Sequence, residues 1–125
     1  MYETQKSTLS EISTERPPYL TALHVPVPVD GVTLFEFQSV AAFQGGTQRF
    51  EVMPGAETPL DQHATNEIWF IGAGDGELYF DGDWHPISAG DSVHFPSQKP
   101  HRMRNRGVTP MTIFSVWWKG KHAEV

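Results

Sequence analysis

Residues 55–74 read "GAETPLDQHATNEIWFIGAG", and the placing of Asp61, His63, Glu67, Trp69 and Ile71 within them decides how the rest of the chain is read. Side chains of an extended segment alternate between faces, so Asp61 and His63 project together while Gln62 projects away. By the same parity Glu67, Trp69 and Ile71 share one face of the strand that follows. A second stretch, "GDSVHFPSQKPHRMRN" at residues 90–105, puts His101 and Met103 on one face of another strand. If these strands line one barrel, Asp61, His63, Glu67 and His101 converge inside it, and Trp69, Ile71 and Met103 form the apolar wall of a substrate pocket. Carboxylates buried beside tryptophan are costly unless something cationic compensates them. One divalent metal ion is the economical compensation.

Working outward, short strands are expected at "VTLFEF", "TQRFEVM", "NEIWFI", "ELYFDG", "DSVHF", "HRMRN" and "MTIFSVWW", separated by turns such as "PGAE", "GAGDG", "DGDW" and "PSQKP". Many short strands punctuated by Gly and Pro indicate an all-β sandwich or barrel. Asp81-Gly82 is a tight hairpin signal. The closing "FSVWW" sends Trp117 and Trp118 to opposite faces, one into the core or pocket and the other to a sheet surface or subunit contact. Residues 1–20 are polar, end near Pro17-Pro18 and read as an N-terminal arm, leaving 21–125 as one barrel domain. His94 is expected to be hydrogen-bonded or exposed, His85 to belong to a hairpin, and His24 and His122 have no identifiable partner.

The two stretches resemble the motifs of the cupin superfamily, in particular its small single-domain barrels. The first motif, G-x5-H-x-H-x(3,4)-E-x6-G, finds Gly55, Asp61 in place of the first His, His63, Glu67 and Gly74. The second, G-x5-P-x-G-x2-H-x3-N, finds Gly90, Pro96, Gln98 in place of Gly, His101 and Asn105. The resemblance implies a double-stranded β-helix, or jelly-roll, of two antiparallel sheets. It also implies that His63, Glu67 and His101 are metal ligands, with Asp61 a ligand by position only. If Asp61 binds, the site has two His and two carboxylates. If it does not, a two-His, one-carboxylate set remains, of the kind associated with non-haem iron, and Asp61 becomes a catalytic acid or base. Iron is the favoured metal, with manganese, zinc or nickel as alternatives. Gln98 in place of Gly suggests a different turn before His101.

Composition narrows the function further. With 125 residues the chain suits one domain. A formal charge of -6 argues against nucleic acid as partner. The absence of cysteine excludes disulfides, thiolate metal sites and thiol chemistry. No run approaches the ~20 apolar residues of a membrane span, and the first twenty residues lack a signal-type apolar stretch, so a cytoplasmic location is the default. The partner expected is a small-molecule substrate, and the need to cover sheet edges and surplus aromatic surface points to a homodimer. Three functions stay open: a metal-dependent dioxygenase on a small, partly apolar organic molecule, narrowly preferred; a non-redox isomerase, lyase or cyclase; and a non-catalytic ligand-binding or sensor barrel.

Overall fold

The computed structural model of the protein describes residues 18–40 and 43–119, and within them the chain is all β. Its strands are β1 (Ala22–Val25), β2 (Val32–Phe37), β3 (Gly45–Val52), β4 (Asn66–Ala73), β5 (Asp75–Phe80), β6 (Asp83–Ser88), β7 (Ser92–Phe95), β8 (His101–Arg104) and β9 (Met111–Trp118). They form a six-stranded sheet in the order β1-β2-β3-β9-β4-β7 and a three-stranded sheet in the order β6-β5-β8. All the pairings are antiparallel. The two sheets face one another as a jelly-roll.

Alternation along the strands builds the core. On β9, Met111, Ile113 and Ser115 are buried while Phe114 faces out. Glu67, Trp69 and Ile71 of β4 and His101 and Met103 of β8 are buried in the same rhythm, so the parity read from the sequence holds on each. Trp69 sits edge-on between Phe50 and Phe95, with ring centroids 5.1 and 4.8 Å away, and joins Leu78, Ile87 and Met103 of the smaller sheet in one cluster. Burying a side chain of that size stabilises by about 2–3 kcal/mol, so this cluster holds the two sheets together.

Two strands were not expected from the sequence. β1, "ALHV", is mostly exposed and too short to carry an alternation; it pairs with β2 along the sheet edge. β6 runs through "DWHPIS", which reads as turn and loop because of its proline. β6 is an edge strand, where a missing N–H interrupts no ladder. The hairpin before it is as expected: Asp81 and Gly82 both have positive φ, 54° and 90°, as a two-residue type I′ turn requires. Of the expected N-terminal arm, residues 1–17 lie outside the described residues, as does His122; Pro18 to Leu20 precede β1 as irregular chain.

Gly74 and Gly82 share the left-handed conformation but differ in their surroundings. A Cβ on Gly74 would lie 2.7 Å from the Pro110 carbonyl and 2.9 Å from Met111, whereas one on Gly82 would meet nothing within 4 Å. Gly74→Ala is therefore expected to cost at least about 2 kcal/mol, and Gly82→Ala about 1 kcal/mol from backbone strain alone. Denaturant midpoints at constant slope check this, and equal losses would contradict it.

Candidate metal centre

The backbone around the site is laced before any side chain meets. The stretch 57–61 runs antiparallel to β8, through bridges Glu57↔Arg104 and Asp61↔His101 whose registers differ by one residue. Thr58 absorbs the difference. Its N–H donates to the Met103 carbonyl, and its hydroxyl accepts the Met103 N–H at 2.9 Å. Further on, the Gln98 N–H donates to the His63 carbonyl at 2.7 Å, and the Gln62 amide donates to the Gln98 carbonyl. Gln98 holds φ at 68°, the left-handed region that favours glycine, although it is not glycine. Gln62 does project away from the site, as expected, and there it ties the two loops together.

On this frame His63, Glu67 and His101 meet. His63 comes from the loop entering β4, Glu67 from β4 and His101 from β8 of the other sheet. The Nε2 atoms of His63 and His101 lie 3.2 and 3.1 Å from Glu67 Oε1. The other carboxylate oxygen, Oε2, accepts the Trp69 indole N–H at 2.7 Å and a short bond from the Ser115 hydroxyl. Glu67 is thus buried with one oxygen fixed by neutral donors and the other offered to the histidines. His101, 1% exposed, lies flat on Phe95 at 4.1 Å and donates from Nδ1 to the Lys99 carbonyl. That leaves Nε2 as the atom turned inward, the arrangement that orients a ligating histidine. Thr65 does the same for His63, its hydroxyl 2.8 Å from Nδ1.

The three residues fit a divalent ion. One atom from each lies within 4.8 Å of the others. The 3.1–3.2 Å separations match neighbouring ligands of an ion bound at about 2.1 Å. Two imidazoles and one carboxylate suit zinc, iron, manganese or nickel better than calcium or magnesium.

Asp61 belongs to the site without joining the trio. It lines a cavity of about 400 Å³ together with Leu34, Glu36, Gln48, His63, Thr65, Glu67 and Trp117. A second cavity, about 220 Å³, extends under it between Pro26, Val27, Pro28, Val32, Phe50 and Trp69, and the two share Leu34, Gln48, Asp61 and Glu67. Of the expected pocket wall, Trp69 lines the second cavity, whereas Ile71 and Met103 lie deeper in the core and line neither. Parity put them on the right face; their depth along the strands was not legible. Ser115 and Trp117 share the inward parity of Ile113, so β9 did carry that signal. Leu34, Gln48 and Pro26–Pro28 come from distant segments that only the fold brings in. His94 is exposed as expected, 3.3 Å from the Asn66 amide oxygen and stacked towards Trp118 on the outer face.

Burial pushes the Glu67 carboxyl up, but hydrogen bonds from His101, Ser115 and Trp69 outweigh it and hold the group below its ordinary 4.5. Burial likewise pulls His101 down, and its bonds to Glu67 and the Lys99 carbonyl outweigh that and raise it above 6.5. Asp61 is raised above 3.8, chiefly by burial and also by the Glu67 charge, against the pull of His101 and His63. Solvent reaches its outer side, yet the cavity walls strip enough hydration to raise it.

A family model described as Cupin domain matches residues 48–117, more than half of the chain, and the protein belongs to that family. An uncharacterized protein of Methanocaldococcus jannaschii is 29% identical over 100 residues, covering 77% of this chain and 74% of that one. The dimethylsulfoniopropionate lyase DddQ of Ruegeria pomeroyi is 38% identical over 69 residues, covering 53% of this chain but only 32% of the lyase. Among solved structures, a predicted oxalate decarboxylase from Thermotoga maritima matches with a TM-score of 0.70 at 25% identity, over 84% of this chain and 97% of that one.

Metal binding to the trio must displace the proton of His101. In the metal-free protein Glu67 contributes stability that is present above 4.5 and lost as pH falls through its lowered value. His101 contributes stability that is present below 6.5 and lost as pH rises through its raised value. Metal affinity is therefore expected to climb with pH, by up to about tenfold per unit, as far as the raised His101 value and to level off above it. His101→Ala should lower affinity more than about 100-fold, and Ser115→Ala about tenfold through a loosened Glu67. Calorimetric titration with zinc or manganese measures all three, and full metal content in both His63→Ala and His101→Ala would place the metal elsewhere.

Proposed function

We propose that the protein is a metal-dependent enzyme that moves a proton on a small, partly apolar, oxygen-bearing substrate, in the lyase or isomerase class. The observation that carries this reading is the place of Asp61, which lines both cavities beside the His63, Glu67 and His101 trio and whose carboxyl burial raises above the ordinary aspartate value. The trio's end of the larger cavity receives the oxygen-bearing group, and the smaller one, walled by Pro26, Val27, Val32 and Phe50, takes the hydrocarbon part. His63, Glu67 and His101 would hold a divalent ion, which when bound would supply Lewis-acid polarisation of the substrate's oxygen and with it the acidity of the adjacent carbon. Asp61, at the junction, takes that proton or delivers one to the departing group. Trp69 and Phe50 keep water from the apolar side. The names of two of the relatives agree in kind, one being a lyase and another a predicted decarboxylase.

A second reading keeps the ligand set and changes the chemistry. Two histidines and one carboxylate are also the set of non-haem iron oxygenases, which supports the dioxygenase preferred from the sequence. Oxygen dependence separates the two. On the proton-transfer reading turnover continues without oxygen and with zinc or manganese in place of iron; on the other it stops. Asp61→Asn is expected to keep its metal and lower kcat by about 10²–10³-fold. Loss of metal as well would make Asp61 a ligand, and binding of substrate without turnover in the unaltered protein would favour a sensor.

The homodimer expected from the sequence is part of the proposal. The outer face of the six-stranded sheet offers a surface for it, since Phe70 and Phe114 are paired in register there and stand 44% and 42% exposed. Sedimentation should give twice 14.0 kDa, and a monomer at micromolar concentration would contradict it.

A further inference from the structure

The larger cavity has two unlike ends. No lysine or arginine lines it, and its acidic residues are Glu36, Asp61 and Glu67. At the inner end Glu67 faces two histidines that can hold a divalent cation, which would offset the charges of Glu67 and Asp61 there. At the outer end Glu36 faces no such compensation. Its carboxylate accepts the Gln48 amide at 3.2 Å, and it enters no ion pair among the described residues. Trp117 completes that wall. It is the register partner of both Gly46 and Glu67, and its ring lies so close over Gly46 that a Cβ there would be 2.7 Å from the indole nitrogen. The indole is thus seated over a neighbour with no side chain, and it lines the same cavity as Glu67 of β4 and Glu36 of β2.

We propose that Glu36 and Trp117 form a cation-recognising rim, so that the substrate class is a small molecule with an oxygen anion at one end and an onium or ammonium group at the other. This rests on the reading above that the trio receives an oxygen-bearing group. An aromatic face with a carboxylate beside it attracts a poorly hydrated cation through the ring quadrupole and the formal charge together. A divalent ion at the trio would draw the oxygen anion inward and leave the uncompensated Glu36 to the cation, so orientation as well as affinity follows from the charge pattern.

The test uses matched probes on the metal-loaded protein: trimethylglycine, 3-(trimethylammonio)propanoate and 4-(trimethylammonio)butanoate, each against the isostere in which carbon replaces nitrogen. The charged member of at least one pair is expected to bind about five- to tenfold more tightly by calorimetry. The preference should fall below about twofold in Glu36→Gln, which keeps an oxygen for Gln48, and in Gly46→Ala, which keeps the indole but displaces it. It should also shrink as salt rises, because Glu36 is exposed. Equal binding of charged and neutral probes, failure of every probe to bind a metal-loaded protein, or a preference that survives both variants would overturn the rim. Metal uptake is read separately by elemental analysis, so its loss would sink the reading of the site and not the rim. A metal-free arm decides the rim in that event: tetramethylammonium should shift the Trp117 indole N–H resonance in the parent protein and not in Glu36→Gln, and no shift in the parent would overturn it.

Discussion

A single buried carboxylate organises this molecule. Glu67 is 6% exposed, and an ionised group in that position is tolerated only because four side chains from different segments satisfy it. Trp69 lies two residues along the same strand, Ser115 comes from the neighbouring β9, His63 from the loop before β4 and His101 from the opposite sheet. One oxygen is consumed by neutral donors and the other points at two imidazoles. Splitting the oxygens in this way holds the carboxylate ionised and aimed, which a metal ligand needs before the metal arrives.

The barrel's two ends divide the work of holding that geometry. At the site end, Asp61 and His101 exchange both backbone hydrogen bonds, at 3.0 and 2.9 Å, and Gln98 fastens the turn before His101 to His63. At the other end, Asn105 is buried and donates to the Val52 and Thr109 carbonyls, while its side-chain oxygen accepts the Gly107 N–H. Its own N–H and carbonyl pair with Ala56 and Gly55. The first and second motifs are therefore bound to each other along their whole length, so the ligands sit on paired backbone rather than on free loops. Positions of ligand atoms supported in this way are held within the tolerance that coordination demands.

What the sequence made legible was whatever parity and spacing control. The inward row Glu67, Trp69, Ile71 and the pair His101, Met103 needed only the two-residue period of a strand, and the Asp81-Gly82 turn needed only its backbone chemistry. β1 escaped because an exposed edge strand of four residues has no hydrophobic face to betray it. β6 escaped because Pro86 reads as a breaker until the strand is known to lie at an edge. The cavity wall was half legible for a related reason. Parity says which face a residue occupies but not how far along the barrel axis it sits, so Ile71 and Met103 went into the core while Leu34, Gln48 and the Pro26–Pro28 turn lined the cavities.

Asp61, which stands where the resembled motif has its first histidine, ties these points together. Its backbone is pinned opposite His101 by two hydrogen bonds, and its side chain is shorter than an imidazole. Space opens in front of it, and two cavities meet there. A carboxyl pinned at that junction keeps its proton more readily than an ordinary aspartate because the walls dehydrate it and Glu67 repels its charge, even though two histidines draw the other way. On the proposed function Asp61 is thus a proton carrier rather than a metal ligand, placed where a substrate has room. That role is open to a barrel in which His63, Glu67 and His101 are held by Ser115, Trp69, Thr65 and the Lys99 carbonyl, since their positions do not depend on Asp61.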